Sequence, residues 1–128
     1  MNDLQIPHLL SISYHQLTVY PENSAPPILD WTDEAIKQGF AVAEDGVSFE
    51  GVRNGKAVIV VMLNGQKPVQ TANRIVSVPF TNTKQHIHIT SVMSQILTFP
   101  IPKGNYELTC STLLQDEQDM YLLHFKNI

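Results

Sequence analysis

The chain has 128 residues, 43% of them apolar, and a formal net charge of −4 at neutral pH. We expect a single domain over residues 1–128, because a chain of this size buries roughly two-thirds of its unfolded surface. The acidic balance argues against direct nucleic-acid binding, which favours a basic surface. The longest apolar run, Ala57 to Leu63, is too short for a membrane helix, so we expect no membrane insertion.

Cysteine usage and the first residues favour a cytoplasmic protein. Cys110 is the only cysteine, which rules out an internal disulfide and fits a reducing compartment. It lies in the alternating segment ELTCST, where a small buried residue is expected. The opening segment MNDLQIPHLL has no basic residue and an early proline, unlike a secretory signal.

The segment from Leu10 to Tyr20 predicts one strand. Its apolar alternation changes phase near His15 and Gln16, and a β-bulge there would account for the change. Prolines follow and end the strand.

Residues 26–41, PPILDWTDEAIKQGFA, are the only stretch that predicts a helix, over about residues 31–38. Asp30 is expected as the N-cap, with Asp33 at the third helical position completing an approximate capping box. Gly39 is placed to end the helix in a left-handed turn.

The two faces of this helix differ in polarity. The polar arc holds Asp33, Glu34 and Lys37. The apolar arc is expected to pack on a sheet, because so short a helix needs docking to persist, and it holds Trp31, Ala35 and Ile36.

The middle of the chain predicts two hairpins. Asn54-Gly55 joins VSFEGVR to KAVIVVML, with Val47 and Phe49 expected to share a face with alternate residues from Val58 onward. The second hairpin joins NRIVSVPF to HIHIT across Thr81 to Gln85. The run from Ala57 to Leu63 is apolar on both faces and predicts a central strand, with the helix as one candidate cover.

The C-terminal third adds strands and a corner. Tyr106, after PKGN, is placed like the tyrosine that forms a corner in many β-sandwiches. MYLLHF predicts a last strand after the acidic turn Gln115 to Asp119. The chain as a whole predicts a mainly β fold, an antiparallel β-sandwich of about eight strands with one short helix.

Sites for chemistry are weak in this sequence. His86 and His88 would point the same way from a strand, as a metal pair does, but no third ligand lies close by. An exposed strand face opposite Ile87 and Ile89 explains them better. No phosphate loop, dinucleotide fingerprint or G-x-S-x-G elbow occurs, so we expect no cofactor and no catalysis.

Acidic residues concentrate in one block. Glu22 to Glu50 contains seven acids and one base, whereas Gly51 to Tyr106 contains six bases and no acid. Such a block is typical of a solvated surface, or of a face toward a basic partner. Beside these acids, a partly exposed Trp31 would be a suitable interface anchor.

Four segments of the chain together resemble the competence protein J (ComJ) family. They are SISYHQLTVY, PPILDWTDEAIKQGF, GVSFE-x-x-RN-x-KA and PKGNYELTC, and the resemblance runs from about Leu10 to Cys110 and fades after Leu113. The best-known type in that family is the inhibitor of a DNA-entry nuclease in naturally competent bacteria. The resemblance implies a non-catalytic protein that binds a bacterial DNA nuclease and blocks it.

The family resemblance carries over no interface residues, so the predicted interface comes from the residues themselves. An inhibitor can place carboxylates where DNA phosphates would lie in a basic groove, around an aromatic anchor. The predicted partner-binding residues are Asp30, Trp31, Asp33, Glu34, Glu44, Asp45 and Glu50.

Three alternatives stay open on the sequence. One is an immunity protein that neutralises a secreted nuclease toxin. Another is a metal-dependent β-barrel enzyme that uses His86 and His88. The third is a β-sandwich module for carbohydrate or another small ligand, with Trp31 or Tyr14 as the stacking platform.

Overall fold

The computed structural model describes residues 7–23, 31–43, 45–65, 72–92, 94–115 and 117–128. Over these residues the chain forms ten strands and one short helix. In chain order they are β1 His8–Ile12, β2 Gln16–Pro21, α1 Asp33–Gln38, β3 Phe40–Ala43, β4 Gly46–Glu50, β5 Gly55–Leu63, β6 Arg74–Asn82, β7 His86–Thr90, β8 Leu97–Pro100, β9 Gly104–Gln115 and β10 Gln118–Asn127.

The strands form two five-stranded sheets that face each other. Sheet 1 has the order β1-β5-β10-β9-β6, and sheet 2 has the order β3-β4-β2-β7-β8. Their facing sides enclose one apolar core. The mainly β sandwich with one short helix is therefore confirmed, with ten strands in place of about eight. One departure from an antiparallel sandwich is that β5 and β10 pair in parallel.

The predicted single strand from Leu10 to Tyr20 is wrong. The chain makes β1 in sheet 1, turns at Tyr14 and His15, and continues as β2 in sheet 2. The phase of the apolar residues changes because Leu10 and Leu17 point into the same core from opposite sheets.

Both predicted hairpins in the middle of the chain are also wrong. Strand β4 belongs to sheet 2 and β5 to sheet 1, so the connection at Asn54 crosses the sandwich. Strands β6 and β7 are likewise in different sheets. The expected shared face fails for the same reason: Ala57, Ile59 and Val61 are the residues of β5 that face the core together with Phe49.

Other predictions from the sequence are confirmed. Strand β5 lies inside sheet 1, between β1 and β10, as expected of a central strand. Tyr106 is fully buried and its hydroxyl donates a hydrogen bond of 2.6 Å to the carbonyl oxygen of Pro102, which is a tyrosine corner.

Helix α1 begins later than predicted. Thr32 is the N-cap, its hydroxyl accepting a 3.1 Å hydrogen bond from the Ala35 N–H, and Asp33 is the first helical residue. The N-cap assignment to Asp30 and the third-position assignment to Asp33 are therefore wrong; Asp30 itself lies outside the described residues. Gly39 ends the helix at φ 92°, as predicted, and a Cβ there would collide with the guanidinium of Arg74.

The apolar arc of the helix is only partly buried. Ala35 is buried, whereas Ile36 is 48% exposed and Trp31 is half-buried. The helix packs mainly beside β3, so it is not the expected cover of β5. In the described part of the chain, no helix is long and apolar enough to cross a membrane.

Candidate functional site: a tryptophan cleft beside a left-handed turn

The described surface has a cleft at the junction of the β1–β2 turn, the start of the helix and the end of β4. It has a volume of about 240 Å³ and an apolar majority in its lining. We call it the Trp31 cleft; its lining residues are Tyr14, His15, Gln16, Trp31, Ile36 and Glu50. It brings together two of the predicted interface residues, Trp31 and Glu50, with two apolar side chains that are unusually exposed, Tyr14 and Ile36.

The turn that bears Tyr14 is built against backbone preference. Tyr14 and His15 both have φ of 53°, the left-handed region, and Ser13 pairs with Gln16 across them. This is the geometry of a two-residue hairpin turn that strongly favours Asn-Gly. A non-glycine residue in this region costs of order 1–3 kcal/mol, so the turn holds strain.

Neighbouring backbone fixes this turn in place. The His15 N–H donates to Asn54 Oδ1 at 3.0 Å, and the His15 carbonyl accepts from the Gly51 N–H at 2.7 Å. Gly51 allows this approach, because a Cβ there would lie 3.3 Å from the His15 carbonyl carbon and 3.1 Å from Ile12 Cγ2. Asn54, which predicted a hairpin, thus serves as an acceptor for the turn.

The segment that holds the turn is itself anchored to sheet 1. Arg53 donates two hydrogen bonds to the buried carboxylate of Asp119, at 2.7 and 3.1 Å. The hydrogen bonds and charge of Asp119 raise the pKa of the Arg53 guanidinium above its ordinary value. The Val52 N–H donates to the Tyr121 hydroxyl at 2.9 Å. Asp119, which the sequence analysis placed in an acidic turn, therefore lies in β10 and has a structural role.

The described acidic residues of the predicted interface lie on the helix and at the two ends of β4. Asp33 and Glu34 are exposed on the first turn of the helix, and Asp45 is exposed at the start of β4. Glu50 lies at the far end of β4, about 16 Å from Asp45 at roughly 3.3 Å per residue. Glu44 lies outside the described residues.

Glu50 is the acid with the most contacts in this group. Its Oε1 accepts a 2.9 Å hydrogen bond from Arg74 Nη1, and its backbone N–H donates to the Gly39 carbonyl at 2.9 Å. The ion pair is partly exposed on both sides and so contributes little to stability. The ion pair instead fixes a position, because it holds the Glu50 carboxylate at the edge of the Trp31 cleft.

Trp31 is partly exposed and lies outside the core cluster. It is half-buried and lines the cleft beside Glu50. Its indole N–H is buried and has no acceptor within the described parts of the chain. The sequence analysis predicted Trp31 and Glu50 as partner-binding residues, and that role stays a prediction. It assigned Ile36 to packing and considered Tyr14 only as a platform for carbohydrate or another small ligand.

The histidine pair behaves as an ordinary strand face. Ile87 and Ile89 are fully buried, while His86 and His88 point outward. His86 Nδ1 lies 3.2 Å from Glu22 Oε2, and the His88 ring packs edge-on against Tyr20. Across the described ranges, no group of three His, Cys, Asp or Glu side chains could hold a metal ion.

Cys110 is a buried residue of the core, as predicted. Burial raises the pKa of its thiol to about 12, although a hydrogen bond with Thr112 opposes the shift. The thiol is therefore protonated at neutral pH and a poor nucleophile.

Comparison with known proteins defines the class to which this sandwich belongs. The sequence model of the family Competence protein J (ComJ) matches residues 9–126. A relative from Bacillus subtilis (strain 168), named DNA-entry nuclease inhibitor, is 49% identical over 115 residues, which span 90% of this chain and 87% of the relative. The chain belongs to the competence protein J family.

Two solved structures share the fold. The crystal structure of ComJ from Bacillus subtilis, described as the inhibitor of the DNA degrading activity of NucA, matches with a TM-score of 0.94 and 45% identity, over 100% of this chain and 99% of that one. The product described as Crocagin biosynthetic gene J matches with a TM-score of 0.63 and 11% identity, over 91% of this chain and 94% of that one, which shows the fold alone.

Proposed function

We propose that this chain is a non-catalytic inhibitor that binds a bacterial DNA nuclease and blocks its active site or DNA groove with an acidic surface. The observation that carries the proposal is the whole-chain similarity to a structure described as the inhibitor of the DNA degrading activity of NucA. The named activity of the 49% identical relative agrees with it.

Electrostatics supports this mechanism. A nuclease that cuts DNA without sequence preference must attract phosphates, so it presents a basic groove. Exposed carboxylates at Asp33, Glu34 and Asp45 can enter such a groove and speed the encounter of the two proteins. Charges at the rim give a salt-sensitive complex, so a stable one also needs a central aromatic contact. The Trp31 cleft offers that contact close to the acidic helix.

An inhibition assay tests the proposal directly. The purified full chain is titrated into Bacillus subtilis NucA while DNA degradation is followed, with the Bacillus subtilis inhibitor as the positive control. We expect stoichiometric loss of DNA degradation and a stable complex in gel filtration. Full nuclease activity at concentrations where the control inhibits completely would overturn the proposal.

Charge reversal tests the acidic surface. We expect Glu34→Lys, Glu44→Lys and Asp45→Lys together to weaken inhibition at least tenfold, with the largest loss at low salt, because rim charges act mainly on association. The matched control is Glu107→Lys, an exposed acid beside Pro79 and Ile128 in a different groove. Equal inhibition by the triple variant and the control variant would remove these acids from the interface.

The location of the protein stays a prediction. A single, buried Cys110 with no disulfide partner in the chain fits a reducing compartment such as the cytoplasm. Fractionation of cells, with detection of the chain in each fraction, checks it.

A further inference from the structure

The Trp31 cleft combines three features that together indicate one kind of occupant. Two aromatic rings, those of Tyr14 and Trp31, line an opening that also contains a carboxylate, Glu50. Its volume of about 240 Å³ is below the roughly 300–1,000 Å³ of usual small-molecule pockets. The space is therefore suited to one long side chain of a partner protein.

Tyr14 is held in the open with no structural benefit visible in the described chain. Its side chain is 67% exposed, at the tip of a turn in the left-handed region. Two hydrogen bonds from the β4–β5 connection keep the turn in place. Backbone strain of this kind persists only where surrounding structure enforces it, and it clusters at functional sites. A rigid, exposed aromatic ring loses little freedom on binding, which favours a binding hot spot.

The carboxylate of Glu50 is positioned and still has capacity to accept. Arg74 bonds to Oε1, which leaves Oε2 for a second donor. Asp33 lies three residues before Ile36 on the helix, so a further negative charge stands beside the rim of the cleft. A cationic donor can therefore bond to Glu50 Oε2 while Arg74 stays on Oε1.

We infer that the Trp31 cleft receives an arginine side chain of the nuclease, whose guanidinium stacks on Tyr14 and Trp31 and donates to Glu50. This inference rests on the proposed function and adds the chemistry of its central contact. A guanidinium is planar, stacks on aromatic rings and carries several donors in fixed directions, whereas a lysine ammonium is compact and strongly hydrated. A groove that binds DNA is rich in arginine, and its positive charge complements the carboxylate in the cleft. The nuclease is therefore the partner that we expect to provide this side chain.

The single tryptophan gives a direct reporter of occupancy. Full-length protein labelled with 5-fluorotryptophan has one fluorine resonance, because Trp31 is the only tryptophan in the chain. Stoichiometric NucA should shift this resonance, and an excess should produce no further shift. Inhibition of the nuclease with an unchanged resonance would show that binding occurs elsewhere and would overturn the inference while leaving the proposed function intact. Absence of inhibition by the wild type would instead overturn the proposed function.

Substitutions of Tyr14 test whether its aromatic ring contributes to binding. Tyr14→Ala should weaken inhibition at least tenfold, whereas Tyr14→Phe should stay within about threefold, because phenylalanine keeps the stacking face. Unfolding midpoints of both variants show whether the fold is intact. Equal inhibition by the alanine variant and the wild type would contradict the inference.

The charge of Glu50 is tested against its internal partner. Glu50→Gln keeps the shape and removes the charge, and it should weaken inhibition at least tenfold. Arg74→Gln breaks the same internal ion pair but keeps the carboxylate, so it should weaken inhibition clearly less than Glu50→Gln does. Equal losses in the two variants would assign the effect to the internal pair and overturn the role of Glu50.

Arginine protection identifies the occupant. The nuclease is treated with phenylglyoxal, which modifies arginine, alone and with saturating wild-type or Tyr14→Ala inhibitor, and modified peptides are found by mass spectrometry. We expect one nuclease arginine to be protected by the wild type and to become reactive with the alanine variant. If no arginine depends on Tyr14 in this way, the occupant is a different residue and the inference fails.

Discussion

Tyr14 and Tyr106 lie at two turns of the same sandwich and have opposite environments. Tyr106 is fully buried against Phe125, and its hydroxyl bonds to Pro102 four residues earlier. Tyr14 is two-thirds exposed, on a turn that a tyrosine disfavours. The first tyrosine stabilises the fold, and the second is retained at a cost in stability. We therefore expect Tyr106 to matter for folding, and we propose that Tyr14 matters for binding.

The largest expected effect is a loss of stability when the buried tyrosine, Tyr106, is removed. Tyr106→Ala should lower the free energy of unfolding by about 3–5 kcal/mol, since it leaves a cavity in the core. Tyr14→Ala should change it by less than about 0.5 kcal/mol, because the ring is exposed. Urea unfolding followed by circular dichroism measures both. Similar costs at the two positions would mean that Tyr14 also has a structural role.

The next expected effect is a gain in stability, at the turn that bears Tyr14. Tyr14→Asn combined with His15→Gly gives the turn its preferred residues, so the free energy of unfolding should rise by roughly 1 kcal/mol. The same double variant should inhibit NucA at least tenfold more weakly. His15→Gly alone is the control: it relaxes one strained residue and keeps Tyr14, so its inhibition should fall clearly less than that of the double variant. Loss of stability in the double variant would show that the turn is not strained.

The helix cap that positions Trp31 gives an effect of similar size. Thr32→Ala removes the acceptor for the Ala35 N–H and should lower the free energy of unfolding by about 1 kcal/mol. Because Trp31 directly precedes the cap, its fluorescence should also shift to the red. Thr32→Ser keeps a hydroxyl and should retain both properties. If Thr32→Ala changed neither the free energy of unfolding nor the fluorescence, the position of Trp31 would not depend on the helix cap.

The smallest expected effect is a pH dependence of stability at the Glu22–His86 ion pair, which is not part of the Trp31 cleft. Burial alone would raise the pKa of Glu22, but the hydrogen bond and charge of His86 hold it below the ordinary 4.5. A lowered folded-state pKa stabilises the fold above the unfolded-state value, and this contribution is lost as pH falls through the folded-state pKa. Glu22→Gln should therefore flatten the loss of stability below about pH 4.5, in thermal unfolding at several pH values. An unchanged acid limb would show that this pair contributes nothing.

Part of the candidate site was readable from sequence, and part was not. Trp31 and Glu50 were found because a lone tryptophan and an acidic block are visible in one dimension. Tyr14 was assigned to a continuous strand, since no sequence signal marks Tyr14-His15 as a two-residue turn that normally takes Asn-Gly. Ile36 was assigned to the buried arc because helical spacing gives a direction but does not show what lies there. Their convergence depends on Gly51 and Asn54, which contact the turn from the connection between β4 and β5.

The sequence by itself determined the class of fold, the helix with its Gly39 end, the central strand Ala57 to Leu63, the tyrosine corner and the family. Each of these follows from a local pattern or from a match along the chain. Only the tertiary structure decided which strands share a sheet. The alternation of apolar residues indicates that Phe49 and Ile59 face a core. It does not indicate which sheet each belongs to, because both sheets present the same alternation to the core from opposite sides. The parallel pairing of β5 with β10 and the cleft between turn, helix and β4 arise from contacts between distant segments, which no local pattern contains.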